Sequence, residues 1–226
     1  MRDMEQNKFV KNRTEPRDVR RKQLILATID SISKRGFSGT TLKHVTSGAK
    51  LSQGIVNFHF ESKEALYIET LGYLVNEHHK LWFESMKAAS PDPADQLTAI
   101  IEADFNKIVC SPKKLAVWFA FWGQVKYRPN YLKIHNKHDE DRFIELTRLC
   151  GEIIKAGPYE NLEPGQVART LEALIDGLWL DMVLYPSARK QKENRNDCFN
   201  LLAVFFPKHF KMNSVSNDDC HRRMDH

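Results

Sequence analysis

Residues 40–66, "TTLKHVTSGAKLSQGIVNFHFESKEAL", constrain the fold more than any other stretch. Thr40 or Thr41 offers an N-cap for a first short helix, Lys50 and Leu51 interrupt it, Ser52 caps a second that runs to about Phe60, and Ser62 starts a third. The two short helices are below the length at which a helix is stable alone, and the second carries Gly54 and the β-branched pair Ile55 and Val56. Neighbours must therefore hold such a segment in place, and its value must lie in what it presents. Two short helices joined by a tight turn, behind a longer supporting helix, fit a helix-turn-helix module.

The supporting helix precedes them. From Arg17 to Arg35 the apolar residues Leu24, Ile25, Ile29 and Ile32 recur at helical spacing, and Gly36 is a natural stop. Charge singles out the same region. The formal net charge is +5, but residues 8–63 carry +8 and the remainder carries −3. A basic N-terminal third on a near-neutral body suits a polyanion partner for that third alone, because Lys and Arg gain affinity by displacing counterions from phosphates. A solvated basic arm has the same composition. Arg13, Arg17, Arg20 and Arg21 either extend a phosphate footprint or are simply solvated.

Beyond residue 62 the chain reads as further helices, with no convincing strand. The expected segments are "ESKEALYIETLGYLVNEHHKLWFESMKAA", "PADQLTAIIEADFNKIVC", "SPKKLAVWFAFWGQVKYR", "PNYLKIHNKHDEDRFIELTRLCGEIIKAG", "EPGQVARTLEALIDGLWLDMVLYP" and "NDCFNLLAVFFPKHF". The fold class is therefore all-α, with about nine helices. It comprises a flexible basic arm over 1–16, a helix-turn-helix domain over 17–62, a helical effector-binding and dimerisation domain over 63–210, and a disordered tail over 211–226.

Several function classes fall away. Four widely spaced cysteines form no C-x-x-C pair, so neither a disulfide framework nor a structural zinc site is indicated, and a reducing cytosol fits. No apolar run is long enough to cross a bilayer, and the N-terminus lacks the apolar stretch of a signal peptide, so a cytoplasmic location without membrane contact is expected. No nucleophile–base, paired-carboxylate or metal constellation emerges by motif, so neither an enzyme nor a cofactor is expected. "HNKHDED", from His135 to Asp141, is the best metal candidate. A charged helix face gives the same letters and no third ligand is evident, so no metal site is expected. A helical adaptor whose basic arm meets RNA or membrane is the remaining alternative, and the helix-turn-helix pattern argues against it.

The residues from about 17 to 66 resemble the DNA-binding segment of TetR-type transcriptional regulators: a Thr-capped helix, a Ser-x-Gly second helix, an aromatic-x-x-Phe ending and a Lys-containing next cap. "RRKQLILATIDSIS", "SQGIVNFHF", "KLAVWFAFWGQV" and "LEALIDGLWLDMVL" look most similar to the BetI type, the choline-responsive repressors of glycine betaine synthesis. The resemblance implies a homodimer on a double-stranded operator, released by a small effector, with the helices over 131–156 and 164–184 forming the dimer interface. It departs from the pattern at Lys50, where Gly is usual, at Asn57, which replaces a tyrosine, and at Phe58, where the BetI type tends to have His.

By resemblance and by position at helix starts, Thr41, Ser52, His59 and Lys63 are the candidates for phosphate contacts. Gln53, Ile55, Asn57 and Phe58 are the candidates for base edges, since Asn and Gln can pair with adenine and Ile or Phe can touch a thymine methyl. Gly54 would allow close backbone approach, while Val56 and Phe60 are read as packing residues. For the effector, Trp118, Phe121 and Trp122 fall on one helical face and Asp176 sits one turn from Trp179; with Tyr127 they form the candidate pocket. Aromatic faces beside a carboxylate suit a quaternary ammonium ion. An aromatic stripe at this spacing also suits a core or a dimer seam.

Overall fold

The computed structural model describes residues 17–186 and 190–212; the basic arm with Arg13, and all but the first two residues of the expected tail, lie outside them. Among the described residues the chain forms nine α-helices and one 3-10 turn, and no strand. The first three helices are α1 (Arg17–Gly39), α2 (Leu42–Ala49) and α3 (Gln53–His59), followed by the long α4 (Lys63–Ala88). After these come α5 (Pro93–Asp104), α6 (Pro112–Trp122), a 3-10 turn at Val125–Tyr127, α7 (Pro129–Ala156), α8 (Pro164–Leu184) and α9 (Lys190–Phe205).

Local chemistry sets most of the boundaries. Gly36 takes φ 72°, ψ 175°, so regular helix stops there before one further turn. Thr41 caps α2: its hydroxyl accepts from the backbone N–H of His44, and the His44 ring pairs with the backbone N–H of Thr41. A histidine thus fills the place that Glu or Gln takes in most capping boxes. Ser62, Asp92, Ser111 and Glu163 accept backbone N–H groups at the starts of α4, α5, α6 and α8, and a proline opens α5, α6, α7 and α8.

Several boundaries differ from the sequence reading, among them the end of α9, at Phe205 rather than Phe210. Helix α5 stops at Asp104 rather than Cys110, α6 stops at Trp122 rather than Arg128, and α9 starts at Lys190 rather than Asn196. Around Gly123 and Gln124 the backbone tightens into the 3-10 turn, and Pro129 then opens a new helix.

Helix α3 is held from behind. Val56 and Phe60 are almost fully buried with Leu24, Ile29, Ile32 and Val45, and the Arg21 guanidinium lies 4.7 Å over the Phe60 ring while donating to the His59 carbonyl and pairing with Glu69. The rest of the chain packs α4, α5, α7 and α8 against one another, with α6 between α1 and α8, and α9 on α8 and α5. The two regions meet at an aromatic cluster in which Phe37 is 4.8 Å from Tyr67 and 5.6 Å from Phe121, with Tyr131 5.3 Å from Phe121.

The turn between α2 and α3 centres on Lys50 at φ 56°, ψ 41°, whose N–H bonds to the Ser47 carbonyl while Leu51 N–H reaches back to Thr46. This left-handed C-cap is the conformation that glycine accommodates without strain. Lys50→Gly is therefore expected to stabilise the protein by about 0.5–1 kcal/mol, the relieved strain exceeding the extra freedom of the unfolded chain. Urea midpoints for the two proteins test this, and an unchanged or lowered midpoint contradicts it.

Candidate DNA-reading helix and effector cavity

On α3 and its flanks the side chains divide cleanly. Thr41, Ser52, Gln53, Gly54, Asn57 and Phe58 are exposed, and Phe58 keeps 72% of its surface in solvent. The Ser52 hydroxyl makes no capping bond, and a Cβ added at Gly54 would meet nothing within 4 Å. An accessible and uncharged surface results.

The remaining residues of that set point elsewhere. Ile55 is half-buried against the core. His59 is only 6% exposed, its ring edge-on to Phe58, with a buried Nδ1 that has no hydrogen-bond partner. The sequence reading treated it as a free cation at a helix start, but it closes α3, where the apolar face turns inward. Lys63 donates to the Thr40 carbonyl at 2.5 Å and lies over the Tyr67 ring, so its charge first serves to tie α4 to the loop before α2. Arg21 is likewise engaged with Glu69 and His59, whereas Arg17 is exposed.

Between α4, α5, α6, α7 and α8 lies a cavity of about 100 Å³. Trp118, Trp122 and Trp179 wall it, with Trp118 centred 6.2 Å from Trp122 and 6.3 Å from Trp179. Asp104, Asp139, Glu172 and Asp176 add four carboxylates to its lining, against Arg142 and the imidazoles of His78 and His135.

Most of these charges are already engaged. Asp104 is fully buried and takes Arg142 at 2.5 Å and His78 at 2.7 Å; burial opposes its ionised form, but these two neighbours outweigh it and hold its pKa below the usual carboxylate value. Arg142 also reaches Glu172 at 3.0 Å, and His135 pairs with Asp139. Burial raises the pKa of Glu172 despite Arg142. Among the described residues the Asp176 carboxyl has no hydrogen-bond or ion-pair partner; the residue is exposed overall, yet the protein crowding its carboxyl displaces water and raises its pKa as well.

Of the six residues expected to line a pocket, Trp118, Trp122, Asp176 and Trp179 do so, and two do not. Phe121 is fully buried on an adjacent face of α6, against Phe37 and Tyr67, because that helix is apolar nearly all round and spacing alone cannot choose its cavity face. Tyr127 lies on the 3-10 turn, 73% exposed and outside the lining, because α6 ends before reaching it. Sequence reading missed His78, Asp104, His135, Asp139, Arg142 and Glu172. The spacing of His135, Asp139 and Arg142 puts all three on one stripe of α7, a signal that was available in the sequence.

Comparison with known proteins adds findings of three kinds. Residues 24–70 match the bacterial regulatory proteins of the tetR family, and residues 93–207 match the C-terminal part of BetI-type transcriptional repressors. The HTH-type transcriptional regulator BetI of Burkholderia thailandensis is 35% identical over 167 residues, which is 73% of this chain and 82% of that protein. A candidate transcriptional regulator from Pseudomonas aeruginosa PAO1 superposes with TM-score 0.75 at 25% identity, covering 89% of this chain and 97% of its own. A candidate regulator from Saccharomonospora viridis, solved in complex with choline, shares the fold with TM-score 0.72 at 17% identity, over 82% of this chain and 96% of its own.

Burial, together with Arg17, Arg21 and Arg20, lowers the pKa of His59 below its ordinary value near 6.5. A depressed histidine favours the folded state while neutral, so its contribution is present above about pH 6.5 and is lost as the pH falls through the folded-state value. His59→Gln, which cannot charge, is expected to lose less stability than the native protein between about pH 7 and pH 5.5. Parallel losses in urea midpoint would exclude this role for His59.

Proposed function

The chain belongs to the TetR family of DNA-binding transcriptional regulators, with a C-terminal region of the BetI type, and we propose that it is a dimeric repressor released from its operator by a quaternary ammonium ion such as choline. Helices α1–α3 are the DNA-binding unit in this reading, and the rest of the chain binds effector and partner subunit. One observation carries the effector assignment: three tryptophans and four carboxylates line one cavity that holds a single guanidinium. A quaternary ammonium ion has no N–H to donate, so aromatic faces and unpaired negative charge are what recognise it. Asp176 supplies the unpaired charge. The choline bound to the Saccharomonospora viridis protein supports the same reading.

On the DNA side, Gln53, Asn57 and Phe58 are the proposed base-reading residues, with Thr41 and Ser52 on phosphates and Gly54 allowing close approach. Ile55, His59 and Lys63 are assigned to packing and to the link with α4. One short helix covers few base pairs, so a two-fold pair is needed for a specific site. Helix α8 exposes Leu180 and Leu184 and the adjacent α9 exposes Val204, which supports these two as the dimer face. Helix α7, the other helix expected at that face, packs on α4, α5 and α8 and also exposes Leu132 and Ile144.

Two paths join the cavity to α3. Helix α6 turns Trp118 and Trp122 to the cavity and Phe121 to Phe37 of α1, and Lys113 pairs with Asp30 of α1 at 2.7 Å. Helix α4 contributes His78 to the cavity and, at its start, Lys63 and Tyr67 hold Thr40. A ligand that spreads these helices changes the separation of the two reading helices, and so the fit to successive major grooves.

The test is a DNA-binding selection with purified protein, repeated with choline. Trp122→Ala is expected to bind the selected site normally and to need at least ~10-fold more choline for release, an aromatic–cation contact away from water contributing about 2 kcal/mol. Release of the native protein unaffected by choline would reject the effector assignment and leave the regulator untouched. Asn57→Ala and Phe58→Ala should each weaken binding to the selected site by about 1–3 kcal/mol with little change in salt dependence. A uniform loss on random DNA would instead place these residues off the bases.

A further inference from the structure

The motif "HNKHDED" on α7 is divided by the fold. His135 and Asp139 turn to the tryptophan cavity, while His138 and Asp141 meet His79 of α4 at a separate place. His79 Nε2 lies 3.7 Å from Asp141 Oδ2, the His79 and His138 rings are centred 4.5 Å apart, and one ligand atom from each residue falls within 4.8 Å of the others.

We propose that His79, His138 and Asp141 form a site for one divalent transition-metal ion of the Zn²⁺ type, clamping α4 to α7 beside the effector cavity. Two imidazoles and a carboxylate suit a borderline ion, and disfavour Mg²⁺ and Ca²⁺, which take oxygen ligands. Nitrogen and oxygen donors about 2.0–2.2 Å from a tetrahedral ion stand roughly 3.4 Å apart, so the 3.7 Å pair is close to ligating distance and side-chain rotation brings in the third. The backbone supports this. His138 and Asp141 share one face of α7 at i, i+3 spacing, and the His79 ring is stacked on Phe83 and set edge-on to Trp82, which fixes its orientation. The His79 and Asp141 side chains are 27% and 56% exposed, which leaves an entry path and a fourth position for water.

The location gives the ion a function. His78, next to His79, and Asp139, next to His138, both line the cavity, so an ion bridging α4 and α7 fixes the spacing of two of the cavity's walls. Metal and effector would then act on the same pair of helices from neighbouring sites.

The experiment uses the untagged full chain, stripped with chelator and titrated with ZnCl₂. Calorimetry is expected to give one ion per chain, and the thermal midpoint should rise with Zn²⁺ concentration but not with Mg²⁺ or Ca²⁺. His138→Gln and Asp141→Asn are expected to weaken Zn²⁺ binding at least ~10-fold while retaining the native helical circular dichroism. His79→Ala should do the same, and because it also removes ring contacts, the other two variants decide if it folds poorly. Cobalt(II), used as a spectroscopic probe, should give visible absorption bands of a nitrogen–oxygen site that disappear in His138→Gln. Zn²⁺ binding as tight in these variants as in the native chain, or less than one equivalent in the native chain, overturns the site. Neither readout involves choline or DNA.

Discussion

A single buried carboxylate organises the C-terminal helices. Asp104, at the last turn of α5, has no surface in water, and it is reached by Arg142 from α7, His78 from α4 and, through its backbone carbonyl, by the indole N–H of Trp179 from α8. Arg142 continues the chain to Glu172 on α8. An ionised group in such a place costs several kcal/mol unless paired, and removing one partner of a buried pair costs about 3–5 kcal/mol. The network adds little net stability over an apolar core of the same volume. What it fixes is orientation, since α4 and α7 satisfy the charge on α5, and α8 joins them through Trp179 and Glu172, only when each is turned to a particular face.

That constraint leaves the cavity where it is. The tryptophans stand over a charge cluster already satisfied internally, so an arriving cation has to be met by what the cluster does not use. In the proposed reading Asp176 is that group: burial raises its pKa, and the nearby charge of Arg142 offsets this only in part. Helix α6 occupies a second critical place because its two faces do different things: one gives indoles to the cavity, the other gives Phe121 to the aromatic cluster under α1. Placing Phe121 on the face of Trp118 and Trp122 misses its contact with Phe37 of α1, which joins the two regions.

The parts legible in the sequence were those fixed locally. Gly36, the Thr41 cap, the Ser62 and Ser111 caps and the prolines before α5, α6, α7 and α8 act within a turn of themselves, and they bound the helices where expected. The cavity tryptophans were visible because Trp118 and Trp122 lie one turn apart on α6 and Trp179 lies three residues, about one turn, from Asp176 on α8. His78, Asp104 and Arg142 were not, since a buried ion network reads as solvated helix face until the helices are packed. His59 failed for a related reason: seven residues of α3 leave only about two turns, and one step along so short a helix moves a side chain from the exposed face to the supported one.

The exposed face of α3 bears no formal charge: Gln53, Gly54, Asn57 and Phe58 are all neutral. Cations near it are either tied down, like Lys63 and Arg21, or set on other elements, like Lys50 and Arg17. On the proposed assignment of base-reading residues, attraction to the phosphate chain and discrimination among bases reside in different residues. Dissolved ions compete with the first and scarcely with the second. A cell whose internal ionic strength rises would loosen this protein from random and cognate sites together, while the preference between them would stay nearly constant.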